Sequence, residues 1–247
     1  MNPILLNKKY TNERILFIII GESNAGGIGI NSEASTEELT ISTKSRIWNN
    51  STNIFQPIQI GVNNLLSHTG LEQYFGYRHG FELALMNYSK INQWSGHEIY
   101  IVKAGQGGTR VANWTDGVLY LGVNSWTTFQ TRTALVLAAL SNFNVTIKII
   151  LTLGINDGID GTDPDTFKTK YKTLISNVRT AIGVNAEVYA TQIMSTYSAI
   201  NTKIIECESE VSGFHAISVV GAGLQDGNHW SYSGFKTIVD RMVVSGL

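Results

Sequence analysis

A single cysteine, Cys207, in a chain of 247 residues excludes an intramolecular disulfide and a zinc site built on paired cysteines. It stands among Glu206, Glu208 and Glu210, which disfavour a thiolate, so its reading is structural rather than nucleophilic. Charge is also sparse. Only 15% of residues are charged, 18 Lys+Arg against 19 Asp+Glu leave a formal net charge of -1, and no block of like charges occurs. Nucleic acid needs a concentrated basic face and is therefore not the expected partner. Long apolar runs are missing too: Ile15–Ile20 is too short for a transmembrane helix or a signal-peptide core, so no integral membrane association is expected. A cytoplasmic location fits, as does a virion-associated or extracellular one reached without a signal peptide. The chain shows neither His-Glu-x-x-His, Cys-x-x-Cys nor Gly-x-x-x-x-Gly-Lys-Ser/Thr, and so implies no metal and no cofactor. The acidic loop Asp157, Asp160, Asp163 and Asp165 lacks the terminal Glu of a calcium loop and reads as helix capping.

What is present alternates. Runs rich in Ile, Val and Leu recur at Arg14–Ile20, Glu98–Val102, Thr146–Leu153 and Glu187–Ile193, as strands buried on both faces require. Between them lie helical patterns at Leu71–Ile91 and Trp126–Leu140, and at Asp165–Ile182 behind an Asp163-Pro164 start; a last helix is expected over Ser233–Val244. Alternation of this kind predicts an α/β protein with a mostly parallel sheet between helices. The stretch Gly26–Gly70 has little periodicity and reads as an extended loop. No repeat or linker marks a boundary, so residues 1–247 are read as one domain, and the sequence is silent on oligomeric state.

In such a sheet, ligands bind beyond the carboxyl ends of the strands. Three short segments fall there: Gly21-Glu22-Ser23-Asn24, Gly105-Gln106-Gly107-Gly108-Thr109 and Gly154-Ile155-Asn156-Asp157. A fourth, Asp226-Gly227-Asn228-His229, precedes the last helix. Ser23 at a strand-to-helix turn is a candidate nucleophile whose own backbone N–H is an oxyanion donor. Gly108 lets backbone approach a ligand closely and supplies a second donor, and the Asn156 amide a third. Asp226 lies three residues before His229, close enough to orient an imidazole that acts as base on Ser23. Glu22, Gln106, Trp114 and Trp230 are candidate substrate-binding residues, and Trp48 and Trp126 are further aromatics that could stack on a sugar.

These four blocks resemble the SGNH (GDSL-like) hydrolase superfamily, which contributes Ser, Gly, Asn and His in that chain order. Within it, Gly-Glu-Ser-Asn-Ala-Gly-Gly, Gly107-Gly108-Thr109 followed by Trp114, and Gly80-Phe81-Glu82-Leu83-Ala84 are most similar to the sialate O-acetylesterase and acetylxylan esterase branch. That branch usually carries Gln where this chain has Glu22, and Trp-x-Gln-Gly-Glu where it has Leu151-Thr152-Leu153-Gly154-Ile155-Asn156. The resemblance implies a flavodoxin-like three-layer α/β/α sandwich, metal-independent ester hydrolysis by Ser23, His229 and Asp226, and an acetylated carbohydrate as substrate. Two other readings stand beside it: a lipase or thioesterase acting on longer acyl chains, and a carbohydrate-binding or virion structural module without turnover.

Overall fold

Every residue from Ile15 to Gly21 is buried, without alternation, and a strand buried on both faces belongs in the middle of a sheet covered by helices. In the computed structural model, which describes residues 13–60, 78–91, 93–94 and 96–247, this run is strand β1 (Arg14–Gly21). The other strands are β2 (Gly29–Ile30), β3 (Ser45–Asn49), β4 (Ile54–Pro57), β5 (Arg78–His79), β6 (Glu98–Gly105), β7 (Val145–Thr152), β8 (Glu187–Thr191) and β9 (Phe214–Ile217). Seven of them form one sheet in the order β4-β3-β6-β1-β7-β8-β9, parallel throughout except for β4, which runs antiparallel to β3 at the edge. The short strands β2 and β5 pair separately.

Register decides where the site can form. β1 pairs Gly21 with Gly105 of β6 on one side and with Thr152 of β7 on the other, so three central strands end level at one rim. The chain leaves β1 for β3 on one side, and later passes from β7 to β8 and β9 on the other. Connections therefore diverge around β1, which is where a doubly wound sheet opens a crevice.

Helices α1 (Ser23–Gly26), α2 (Thr36–Leu39), α3 (Phe81–Lys90), α4 (Val111–Thr115), α5 (Ser125–Leu140), α6 (Ile155–Ile159), α7 (Pro164–Ile182), α8 (Ser198–Glu210) and α9 (Tyr232–Val244) flank the sheet. α3 packs with α9, while α4, α5, α7 and α8 form a second group. α7 begins as its sequence predicts: Asp163 caps the Thr166 N–H, Pro164 occupies the first turn, and Gly183 in the left-handed region ends it. The N-terminal region of α3 holds a buried ion pair, Lys103 Nζ to Glu82 Oε2 at 3.0 Å, and Glu82 also accepts the Gly80 N–H at 2.7 Å. Cys207 is buried in α8, and burial pushes its thiol up to about 11, in keeping with a structural role.

Three expectations are corrected. The described part of Gly26–Gly70 is not one loop, since it contains β2, α2, β3 and β4; residues 61–70, His68 among them, lie outside the described residues. The helix expected over Leu71–Ile91 begins at Phe81, because Arg78 and His79 are drawn into a strand by pairing with Ile30 and Gly29; residues 71–77 lie outside the described residues. Trp48 is buried edge-on against Phe55 rather than open to a sugar; Trp126 is half-buried and stacks on Phe129 within α5.

Candidate active site

Gly21 ends β1 with φ at 142°, and a Cβ there would come within 1.8 Å of the Thr152 carbonyl oxygen. Only glycine allows the chain to turn that close to β7. The Glu22 N–H then bonds the same carbonyl at 3.0 Å, and Ser23 opens the single turn of α1, closed by Gly26 and Gly27 N–H bonds back to Glu22 and Ser23. This turn stands the Ser23 side chain on the rim, half-buried.

His229 comes to it from 206 residues away. Its Nε2 lies 3.1 Å from Ser23 Oγ, and its Nδ1 lies 2.8 and 3.0 Å from the two Asp226 oxygens. Because an ionised carboxylate can only accept, the proton belongs on Nδ1 and Nε2 is left free to take the Ser23 proton. Asp226 is itself held by N–H bonds from Asn228 and His229, both at 2.8 Å. Burial pushes this carboxyl up, but the bonds from Asn228 and from the side chain and backbone of His229 outweigh it and hold Asp226 below its ordinary value.

A residue not singled out from the sequence docks this loop. Asn24, fully buried, donates from Nδ2 to the Asn228 carbonyl at 3.0 Å and accepts the Trp230 N–H at 3.2 Å. The two residues flanking His229 are thus fixed to the residue that follows the nucleophile. Its only sequence signal is adjacency to Ser23.

The glycine-rich segment is pressed against the same turn. A Cβ on Gly105 would lie 2.2 Å from the Gly26 nitrogen, and the Gln106 N–H bonds the Gly21 carbonyl at 2.9 Å. Thr109 Oγ1 folds back to the Gln106 carbonyl at 2.7 Å and receives the Trp114 Nε1–H at 3.0 Å. Gly108 has φ at 78°, and a Cβ on it would strike the Tyr120 hydroxyl. Among the described residues, neither the Ser23 nor the Gly108 N–H donates within the protein. Both are free to serve an oxyanion.

Asn156 stands in the first turn of α6. Its Nδ2 donates to Glu22 Oε2 and to the Thr109 carbonyl at 3.3 Å, while the next residue, Asp157, accepts the Val111 N–H at 2.9 Å and so ties α6 to the helix after the glycine-rich segment. Burial pushes Asp157 up, against that bond.

The four residues expected to bind substrate are placed elsewhere. Glu22, Gln106, Trp114 and Trp230 are 0%, 6%, 1% and 1% exposed, so none presents a face to a sugar ring. Trp230 is edge-on to Phe81 and Phe235 in the core, Trp114 supports Thr109, and Gln106 lies within the loop turn. Glu22 turns inward to α6, where Ile155 N–H reaches Oε1 at 2.8 Å and Asn156 N–H reaches Oε2 at 3.2 Å.

A family model described as carbohydrate esterase, sialic acid-specific acetylesterase, matches residues 13–245. Among curated protein sequences no match is found. Among solved structures the chain is similar to a protein from Arabidopsis thaliana, at 15% identity and TM-score 0.73, covering 96% of this chain and 99% of that one. It is also similar to NanS, at 13% identity and TM-score 0.66 over 95% and 96% of the two chains. A third structure, XAC1771, a carbohydrate acetylesterase from Xanthomonas citri, shares 12% identity and TM-score 0.59 over 90% of this chain and 53% of its own. At such identities the likeness is one of fold.

Proposed function

Since this chain belongs to the carbohydrate esterase family of sialic acid-specific acetylesterases, its match spanning residues 13–245, we propose that it releases acetate from an acetylated sugar with Ser23, His229 and Asp226 as its acid–base machinery. The observation that carries this reading is the unbroken chain of contacts, Ser23 Oγ to His229 Nε2 at 3.1 Å and His229 Nδ1 to Asp226 at 2.8 Å. It is the arrangement that activates a hydroxyl nucleophile at neutral pH.

Ser23 Oγ attacks the acetyl carbonyl carbon as its proton passes to His229 Nε2. The imidazolium so formed is stabilised by Asp226, which stays ionised because its hydrogen bonds hold its carboxyl low. Charge developing on the carbonyl oxygen is met by the N–H groups of Ser23 and Gly108 and by the Asn156 amide. On collapse the bond to the sugar oxygen breaks, and His229 protonates that oxygen. Water, deprotonated by His229 as it attacks the acetyl-Ser23 carbonyl carbon, then displaces Ser23: the Oγ–acyl bond breaks, His229 returns the proton to Oγ, and acetate is freed.

One observation favours a longer acyl group instead. Val118, Leu119 and Leu121 are exposed apolar residues on either side of Tyr120, whose hydroxyl meets Gly108. Specificity constants across an acyl series separate the two. Each methylene buried in an apolar groove would favour binding by about 0.8 kcal/mol, so a maximum at eight or more carbons would reject the acetyl reading. For the site itself the test is Ser23→Ala, expected to abolish acetate release from acetylated sugars with an unchanged circular dichroism spectrum. Near-native turnover in that variant would reject Ser23 as nucleophile.

A further inference from the structure

Glu22 is the residue before the candidate nucleophile, yet its side chain points away from the rim into the protein. It is completely buried, and among the described residues the hydrogen-bond partners of its carboxyl lie in one place: the Ile155 N–H, the Asn156 N–H and the Asn156 side-chain Nδ2. Three donors from the first turn of one short helix converge on a single carboxyl group. The bond to Nδ2 has a further consequence, because a primary amide carries two N–H bonds in a fixed plane. With one directed at Glu22, rotation about the side chain is locked and the other is aimed across the site. Its direction is visible in the 3.3 Å contact to the Thr109 carbonyl, one residue beyond Gly108. That contact is long for a hydrogen bond, so an oxyanion forming near Gly108 would displace it readily.

We propose that Glu22 is a positioning residue of the oxyanion hole, gripping the first turn of α6 so that the Asn156 amide presents one N–H to the oxyanion. This rests on the esterase reading of the site. Burial pushes the Glu22 carboxyl up to about 8, partly offset by the bonds from Ile155 and Asn156, and Asp157 of α6 adds to the rise. Among the described residues, Tyr171 of α7 also feels it. At neutral pH the carboxyl is therefore mostly uncharged, which suits a place beside developing negative charge. Its ionisation above that point puts a like charge next to the oxyanion and slows turnover.

The test compares Glu22→Ala, Glu22→Gln, Asn156→Ala and the Glu22→Ala/Asn156→Ala double variant on an acetyl ester. Removing an oxyanion donor lowers kcat on the order of 10²–10³-fold, and releasing a donor from its aim is expected to lower it by roughly 10- to 100-fold in Glu22→Ala, with KM changed only a few-fold. Glu22→Gln keeps the shape but only one accepting oxygen; with that oxygen on the Asn156 Nδ2–H, its NH2 faces the Ile155 N–H and that bond is lost, so kcat should fall clearly less than in Glu22→Ala. It should also lack the fall of kcat expected of wild type on raising the pH through about 8. Adding Glu22→Ala to Asn156→Ala should lower kcat no further, since the donor being aimed is already gone. An undiminished kcat in Glu22→Ala, an equal loss in Glu22→Gln, or independent losses in the double variant would each overturn the positioning role. Wild-type protein that hydrolysed no ester would overturn the esterase reading and this role with it.

Discussion

Replacing Glu22 by glutamine should change how stability depends on pH, and the structure sets the size of the change. Burial raises the carboxyl from 4.5 to about 8, so between those values the folded protein retains a proton that the unfolded chain has released. Stability then falls as pH rises through this window. At about 1.4 kcal/mol per pKa unit the full effect is on the order of 5 kcal/mol, of which linkage places roughly 3 to 4 kcal/mol between pH 5 and 8. For a chain of this size about 2 °C of Tm accompanies each kcal/mol, and the expected change is about 7 °C. Other groups titrate in the same range. Burial, with Lys103 and Arg78 nearby, holds His79 down to about 3, so His79 has the opposite sign and stabilises the fold increasingly as pH rises from there towards 6.5. Such contributions are common to both proteins and cancel in the difference between wild type and Glu22→Gln. Any fixed cost of the amide moves the whole difference curve without changing its slope. The assay is thermal unfolding of both proteins at half-unit steps from pH 5 to 8.5, where the glutamine variant should gain about 7 °C on wild type. A difference that stays level within 1–2 °C would show that Glu22 ionises normally in the folded protein, and would refute the reasoning.

Three further outcomes are expected. Asn156→Ala should lower kcat by on the order of 10²–10³ with little change in KM, read from steady-state hydrolysis; a rise in KM alone would make Asn156 a binding residue. Asn24→Ala strips the buried Trp230 N–H of its acceptor and should cost about 1–3 kcal/mol in urea unfolding. The same variant should slow turnover, as His229 loses its docking to Ser23; an unchanged kcat would show that the loop holds its place unaided. Lys103→Met leaves Glu82 buried without its cation and should destabilise by about 3–5 kcal/mol, recovered in large part by adding Glu82→Gln; an additive second loss would contradict the pairing.

Much of the architecture was legible in short stretches of sequence. The runs rich in Ile, Val and Leu marked β1, β6, β7 and β8 as strands, and Asp163-Pro164 with Gly183 marks both ends of α7 through local backbone chemistry alone. Asp226 and His229, three residues apart in one turn, are neighbours whatever the rest of the chain does. The strands β3, β4 and β9 were not legible: no apolar run of the sequence marks them, and they are strands because a distant edge pairs with them, Ser45 with Ile99 and Phe214 with Val188. The burial of the residues expected to bind substrate was not legible for a related reason. Trp114, Trp230 and Glu22 are types that suit a ligand surface, but their exposure depends on which neighbours the fold brings over them, and nothing local records that. Sequence by itself determined the central strands, the capped helix and the Asp226–His229 pair, since each is settled by residues within a few positions of one another. Only the tertiary structure decided that Asn24 would dock the His229 loop onto Ser23 and that Glu22 would face Asn156, contacts spanning more than a hundred residues whose partners are chosen by strand order and register.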